Sequence, residues 1–228
     1  MSQSPNCRPA LALIPAYNEA ERVGPVVVEA SQHLPVLVVD DGSRDATAQI
    51  AEQAGATVLQ QVPNQGKGAA LRAGMQWALD RDYQAVVTLD ADGQHDPAEI
   101  PLFLDACEKS HPDLIIGARN FEQMPAIRRM SNMVGRWSFS WALGQQVRDN
   151  QSGYRLLNRR MMEAVLGSQE QGFEFEVEMI VTCVRQGYQL EWVPISTIYA
   201  GETSHINPMD HAASWVRMVR QTRKKMKP

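Results

Sequence analysis

Residues 85–97 read AVVTLDADGQHDP and give the clearest indication of the fold. Five apolar or β-branched residues come first, and Asp90, Asp92 and Asp96 follow them. A short apolar run predicts a buried strand, and the acids then stand at the carboxyl end of that strand. Asp90 and Asp92 are two residues apart, so in extended backbone their side chains leave on the same face.

The chain on either side of this stretch alternates short apolar runs with amphipathic segments, from residue 10 to about residue 118. The predicted strands are 10–15, 35–40, 57–62, 85–90 and 113–117, and the predicted helices are 20–33, 46–54, 67–80 and 98–110. Asp45 and Asp96 are predicted to cap two of these helices. This alternation is typical of an α/β fold with a mostly parallel sheet flanked by helices. A helix at 175–186 and a strand at 189–198 are expected to complete it.

Composition indicates one globular domain with a charged end. The chain has 228 residues and a net charge of -4, yet residues 217–228 carry six basic residues and no acid. We expect a catalytic domain over 1–208 and a basic helical tail over 209–228. That tail suggests contact with an anionic membrane surface or a membrane partner protein, whereas a solvated, frayed helix is the alternative. No nucleic-acid partner is expected.

The cysteines and the apolar runs bear on location. Three cysteines, far apart and without a CxxC pair, argue against a disulfide framework or a structural zinc site and suit a reducing cytoplasm. The sequence has neither a secretory signal pattern nor a run of about 18 apolar residues. We therefore expect a cytoplasmic protein, peripheral at the inner face of the cytoplasmic membrane. The aromatic helix predicted over 124–143 is either a core helix or a helix at the bilayer interface.

Acidic residues follow two separate predicted strands, at 40–45 and at 90–96. Ligands bind outside the carboxyl ends of the strands in open α/β sheets. Carboxylates gathered there repel one another unless a cation is present. Asp90 and Asp92, with Gln94 adding a contact, are suited to Mg²⁺ or Mn²⁺ shared with substrate phosphates. Asp40 and Asp41 are expected beside them on a neighbouring strand, in a position to bind a base or ribose.

Cationic side chains and glycines mark a place for phosphate. The segment from Asn64 to Gly68 opens a helix with two glycines and Lys67, although it is not a Walker A loop. Arg119, Arg128, Arg129 and Arg155 are placed to meet an anion. Asp149 is a candidate to orient or deprotonate an acceptor. The acids at 174, 176 and 178 are interpreted as the exposed side of a helix start.

Five segments in this order resemble the family-2 inverting glycosyltransferases, in particular the dolichyl-phosphate mannose synthase and polyprenyl-phosphate sugar transferase branch. They are 15–19 (PAYNE), 40–47 (DDGSRDAT), 64–68 (NQGKG), 90–97 (DADGQHDP) and 149–155 (DNQSGYR). The likeness extends over about residues 10–208. One departure is that 199–208 contains no arginine where several relatives have one.

This resemblance implies a single-domain GT-A fold, which is a Rossmann-like fold for nucleotide sugars. It implies transfer of a sugar from a GDP- or UDP-sugar to an acceptor, expected to be a polyprenyl phosphate, with inversion and with Mg²⁺ or Mn²⁺. The residues expected to bind the donor are Pro15, Tyr17, Glu19, Asp40, Asp41, Gly42, Lys67 and Asp90. The metal is expected at Asp90, Asp92 and Gln94, and the acceptor at Arg128, Arg129, Ser131 and Arg155. The expected catalytic residues are Asp92, Asp149 and Arg119.

Other functions remain open from the sequence. The acceptor could be a sugar or another hydroxyl compound, for which Asp149 would serve as the base. A nucleotidyltransferase that makes nucleotide sugars has a similar sheet, but it normally has a glycine-rich loop after the first strand, where this chain has Pro15 to Glu19. An inactive, membrane-associated scaffold is a further alternative, which the intact Asp90 and Asp92 disfavour.

Overall fold

The fold was obtained as a computed structural model that describes residues 7–119, 126–167, 173–196, 215, 217, 219–224 and 226. One seven-stranded sheet lies at its centre, with helices packed against it. The strands are β1 (Ala10–Ala16), β2 (Val36–Asp40), β3 (Thr57–Gln60), β4 (Ala85–Thr88), β5 (Leu114–Arg119), β6 (Arg155–Asn158) and β7 (Leu190–Ile195). The helices are α1 (Val23–Ala30), α2 (Thr47–Gln53), α3 (Lys67–Leu79), α4 (Ile100–Ser110), α5 (Ala126–Leu143), α6 (Arg159–Leu166) and α7 (Phe173–Arg185).

The sheet is mixed, in the order β3-β2-β1-β4-β6-β5-β7. Only β6 runs against its neighbours β4 and β5, while the other pairs are parallel. Strands β1, β2 and β4 are fully buried, as apolar runs between two helical layers should be. Sequence analysis predicted the parallel strands and missed β6 and α6, because β6 is only four residues long and follows a polar loop.

Local chemistry explains the helix starts. The Asp96 carboxylate accepts the Ala98 N–H ahead of a 3-10 turn at Pro97–Glu99, so the predicted cap is confirmed, although α4 itself begins at Ile100. The Asp45 carboxylate accepts the N–H of Thr47, the first residue of α2, but the N-cap position is Ala46, so the cap predicted at Asp45 lies one residue too early. Helices α1 and α2 are shorter than predicted, because the first and last residues of the predicted helices fold as turns or bends.

One disulfide is present, which the cysteine spacing did not predict. Cys7 and Cys107 form a disulfide, because the chain entering β1 lies beside α4, and Cys183 is buried and free. A separation of 100 residues gives no hint of this pairing in the sequence. Cysteine spacing therefore provides no argument for a reducing compartment.

The C-terminal residues that are described are mostly helical and pack on α5. The Trp215 indole N–H donates to the Ser138 hydroxyl over 3.0 Å, and Thr222 is buried. The boundary predicted at residue 208 lies outside the described residues, so the division into domain and tail stays a prediction. Among the residues described, no helix is long and apolar enough to span a bilayer.

One close contact provides a test of this packing. Gly74 of α3 faces Leu13 of β1, and a β-carbon at Gly74 would lie 2.2 Å from the Leu13 Cδ1 atom. We predict that Gly74→Ala lowers the free energy of unfolding by about 1–3 kcal/mol through overpacking, despite its better helix propensity. Urea denaturation measures this change.

The matched control is the double variant Gly74→Ala/Leu13→Ala. Leu13→Ala removes the atoms that clash with the new methyl group. The loss of unfolding free energy in the double variant should therefore be clearly smaller than the sum of the losses in Gly74→Ala and Leu13→Ala. Strict additivity would contradict the close contact between Gly74 and Leu13.

Candidate active site

The five polar segments singled out in the sequence meet at one edge of the sheet. Three of them follow the carboxyl ends of β1, β2 and β4, the fourth opens α3 after β3, and the fifth precedes β6. Because β6 is antiparallel to β4, its amino end lies at the same edge as their carboxyl ends. Arg119, the last residue of β5, also lies at this edge, since β5 is antiparallel to β6 in turn.

Asp41 is joined to the Asp90 region through the loop before α3. The prediction that β2 and β4 are neighbours was wrong, since β1 lies between them. The Asp41 carboxylate accepts the N–H groups of Gln65 (2.8 Å) and Gly66 (2.7 Å), and the next residue is Lys67. A carboxylate at a helix N-terminus satisfies amides that have no partner within the helix. Asp41 therefore fixes the start of α3 and, with it, the position of Lys67.

Lys67 lies between two carboxylates. Its ammonium nitrogen is 2.7 Å from Asp90 Oδ1 and 2.7 Å from Glu176 Oε1. Burial alone would lower the pKa of Lys67, but the charges of Asp90 and Glu176 outweigh it and raise that pKa above its ordinary value. Burial by itself would raise the pKa of Asp90. The positive charge of Lys67 outweighs burial and holds the pKa of Asp90 below its usual value. Both groups are therefore ionised at neutral pH.

Glu176 is the residue of this cluster that sequence analysis missed. We expected the acids at 174, 176 and 178 to line an exposed helix start, yet Glu176 is only 4% exposed. Its Oε2 atom is buried without a hydrogen-bond partner among the described residues. The alternation of Phe173, Phe175 and Val177 concealed it, because in a helix such spacing does not separate a buried face from an exposed one.

Hydrogen bonds between residues of the same loop hold the conformation of the chain after β4. The Asp90 N–H donates to His95 Nδ1 over 3.1 Å, and the Gln94 N–H donates to Asp92 Oδ1 over 2.9 Å. Burial lowers the pKa of His95 below its ordinary value, so the imidazole is neutral at pH 7 and its Nδ1 accepts. His95 thus supports the backbone of Asp90 from the protein interior.

Arg119 and Asp149 form a bidentate ion pair. Arg119 Nε lies 2.6 Å from Asp149 Oδ2, and Arg119 Nη2 lies 3.0 Å from Asp149 Oδ1. Asp149 Oδ1 also accepts the N–H groups of Gln151 and Ser152. The Asp149 side chain is only 1% exposed, whereas Arg119 is 20% exposed. The pair therefore holds a guanidinium at the edge of the sheet in a fixed orientation.

Arg155 lies beneath the cluster. It is fully buried, and its guanidinium donates to the backbone carbonyls of Ser152, Asn150 and Glu176. Burial lowers its pKa to about 10, which leaves it charged at neutral pH. In this structure Arg155 holds the 149–155 loop against α7, and the acceptor contact expected for it stays a prediction.

The remaining predicted donor residues form the loops after β1 and β2. Pro15 is buried at the end of β1, Tyr17 is exposed, and Glu19 pairs with Arg22. These loops are joined, because Asn18 hydrogen bonds with Ser43 and Arg44. Gly42 has a φ of +75°, and a β-carbon there would lie 2.9 Å from the Asn64 nitrogen. Of the predicted acceptor residues, Arg128, Arg129 and Ser131 belong to α5, but their side chains lie outside the described residues.

A divalent cation at this sheet edge would have to take part of its coordination from a substrate. Within the described residues, no three His, Cys, Asp or Glu side chains are grouped as a complete metal site. Asp90 and Asp92 would supply two hard oxygen ligands to Mg²⁺ or Mn²⁺ if phosphates completed the coordination. Gly153 packs closely on the cluster, since a β-carbon there would lie 2.9 Å from Asp90 Oδ2 and 3.2 Å from Lys67 Nζ.

The chain is similar in sequence to known proteins. Residues 12–166 match the family described as glycosyl transferase family 2. An undecaprenyl-phosphate mannosyltransferase of Micrococcus luteus is 32% identical over 206 residues, which cover 82% of this chain and 83% of that protein. A polyprenol monophosphomannose synthase of Mycolicibacterium smegmatis is 32% identical over 203 residues, covering 82% and 76%.

A solved structure supports the fold. Glucosyl-3-phosphoglycerate synthase from Mycobacterium tuberculosis, in complex with Mn²⁺, uridine diphosphate and phosphoglyceric acid, superposes with a TM-score of 0.72 at 20% identity. The match covers 96% of this chain and 79% of that one. The predicted GT-A fold is thereby confirmed, and the chain belongs to glycosyl transferase family 2.

Proposed function

We propose that this glycosyltransferase moves a hexose from a GDP- or UDP-sugar to a polyprenyl phosphate, with inversion and with Mg²⁺ or Mn²⁺. The proposal rests on the cluster of Asp90, Lys67 and Glu176 at the sheet edge, against which Gly153 packs closely. Relatives named as lipid-phosphate mannosyltransferases, about a third identical over most of the chain, support this acceptor class.

The donor is proposed to lie across the carboxyl ends of β1, β2 and β4. Asp40 and Asp41, both buried at the end of β2, would border the nucleoside. Asp90, Asp92 and Gln94 would hold the metal beside the diphosphate. A bound divalent ion there would neutralise charge that develops on the departing nucleoside diphosphate. Lys67 adds a fixed positive charge at the same place, which its raised pKa maintains at neutral pH.

The acceptor is proposed to approach from the β5 side. Arg119, oriented by Asp149, would meet the acceptor phosphate together with Arg128, Arg129 and Ser131. A phosphate monoester with a second pKa of about 6 is largely anionic at neutral pH, so it needs little base catalysis. Membrane association follows from this proposal, because a polyprenyl chain resides in a bilayer.

A hydroxyl acceptor is less well supported by the site. It would require a base such as Asp149, but both Asp149 oxygens already accept hydrogen bonds from Arg119, and Oδ1 accepts two from backbone amides. Such a carboxylate is better suited to hold Arg119 in place than to take a proton. The nucleotidyltransferase alternative is disfavoured by the family match.

The product assay provides the direct test. The protein is incubated with Mn²⁺, a panel of GDP- and UDP-sugars and undecaprenyl phosphate, and we expect a sugar-labelled lipid in the organic phase with one donor. Asp92→Asn should lower this turnover by about a hundredfold or more, since metal stabilisation of the leaving group contributes several kcal/mol.

The matched control is Asp105→Asn, which makes the same charge change on the exposed surface of α4. It should leave turnover unchanged. Wild-type turnover in Asp92→Asn would refute the role of that residue, and product only with soluble hydroxyl acceptors would refute the lipid acceptor.

A second prediction concerns the close packing of Gly153 on Asp90 and Lys67. Gly153→Ala places a methyl group against Asp90 and Lys67, so the Mn²⁺ concentration for half-maximal turnover should rise about tenfold or more. Gly167→Ala is the control, because nothing lies within 4 Å of a β-carbon there. Thermal unfolding of both variants checks that they are folded. An unchanged Mn²⁺ dependence in folded Gly153→Ala would contradict the proposed metal position.

A further inference from the structure

The part of α5 whose side chains are described, residues 135–143, has a buried side and an exposed side that carries two tryptophans. Phe139, Ala142 and Leu143 are buried against the core. Trp137 and Trp141 are 74% and 57% exposed, and they stand four residues apart on one side of the helix. The core-packing interpretation therefore holds for the buried side chains, while the bilayer interface stays a prediction for the exposed tryptophans. Large apolar side chains grouped on a surface mark an interaction site.

Basic side chains from the C-terminal region stand beside these tryptophans. Arg220, Arg223 and Lys224 line a shallow pocket with Trp141 and Val219. The Arg223 guanidinium carbon lies 5.0 Å from the centre of the Trp141 ring, within the range of a cation–π contact.

The C-terminal segment that carries these basic residues, of which 215, 217, 219–224 and 226 are described, contacts α5 through its own side chains. Trp215 packs beside Phe139 with ring centroids 6.4 Å apart, and it hydrogen bonds with Ser138. Thr222, in the middle of the basic segment, is 3% exposed. The cations are therefore held next to the exposed tryptophans by packing.

We propose that the surface formed by Trp137, Trp141, Arg220, Arg223 and Lys224 docks on an anionic phospholipid bilayer. Tryptophan prefers the headgroup level of a membrane, because its ring is apolar and its N–H is polar. Arginine and lysine beside it attract anionic lipid, each strengthening binding about fivefold.

Charge separation favours a bilayer as the occupant. The whole chain carries -4, while residues 217–228 hold six of its 22 basic residues and no acid. An acidic body with one basic, aromatic face is oriented by an anionic surface, with that face toward the lipid. Docking here would also bring the enzyme to a bilayer that holds the lipid acceptor, although the inference does not depend on the proposed reaction.

Vesicle sedimentation with the full chain tests this inference without donor or acceptor. We expect the protein to sediment with phosphatidylglycerol vesicles, to do so less at high salt, and to stay in solution with phosphatidylcholine alone. Trp137→Ser/Trp141→Ser and Arg220→Gln/Lys224→Gln should each reduce binding to the anionic vesicles about tenfold or more.

Matched controls separate this surface from general charge and from folding. Lys109→Gln/Arg185→Gln removes the same two charge types from exposed positions on α4 and α7, and it should bind like the wild type. Thermal unfolding confirms that each variant is folded. Activity on a short-chain, water-soluble polyprenyl phosphate should be unchanged in the Trp137→Ser/Trp141→Ser variant, so a failure of docking is distinguishable from a failure of the transferase proposal.

Three outcomes would overturn the inference. One is equal sedimentation of the wild type and both surface variants, and another is equal binding to zwitterionic and anionic vesicles. The third is the absence of vesicle binding together with dimers that the tryptophan substitutions dissociate, which would assign the surface to a second copy of the chain.

Discussion

The arrangement of the site depends on the ammonium group of Lys67, which lies between the carboxylates of Asp90 and Glu176. This contact requires that α3, β4 and α7 be positioned correctly. Asp41 fixes the start of α3 through two backbone amides, Asp90 follows the end of β4, and Glu176 lies in the first turn of α7. Arg155 ties the last of these to the 149–155 loop by donating to the Glu176 carbonyl. Acids that would otherwise repel one another across a sheet edge are thereby compatible with a folded, ligand-free protein.

The sequence was sufficient to predict the strands that carry the site, because buried parallel strands appear as uninterrupted apolar runs with polar residues directly after them. Asp90 and Asp92 were placed after the end of β4 in this way. Features that depend on contacts distant in sequence were not predictable. Antiparallel β6 enters between β4 and β5 only because its residues pair with both, and Glu176 is buried only because α7 packs its start over α3. The Cys7–Cys107 disulfide is a third case, in which the chain before β1 meets α4.

The fold separates two tasks along the chain. Polar loops at the carboxyl ends of β1, β2 and β4 form the proposed donor side, and Arg119 ends β5 on the proposed acceptor side. Helix α5 follows, and its 18 residues extend about 27 Å at the usual rise per residue. Its second half carries the exposed tryptophans. One helix thus connects the acceptor side of the sheet with the surface proposed to meet lipid.

The proposed mechanism requires that Asp90 and Asp92 bind a divalent ion together with the diphosphate of the donor. Isothermal titration of UDP and GDP into the protein, with Mn²⁺ and with a chelator, measures this coupling. Binding of one nucleotide should be at least about tenfold tighter with Mn²⁺, and Mn²⁺ should bind more tightly by the same factor when that nucleotide is present, because such coupling is reciprocal. Equal affinity of the nucleotide with Mn²⁺ and with the chelator would contradict a metal ion shared between Asp90, Asp92 and the donor diphosphate.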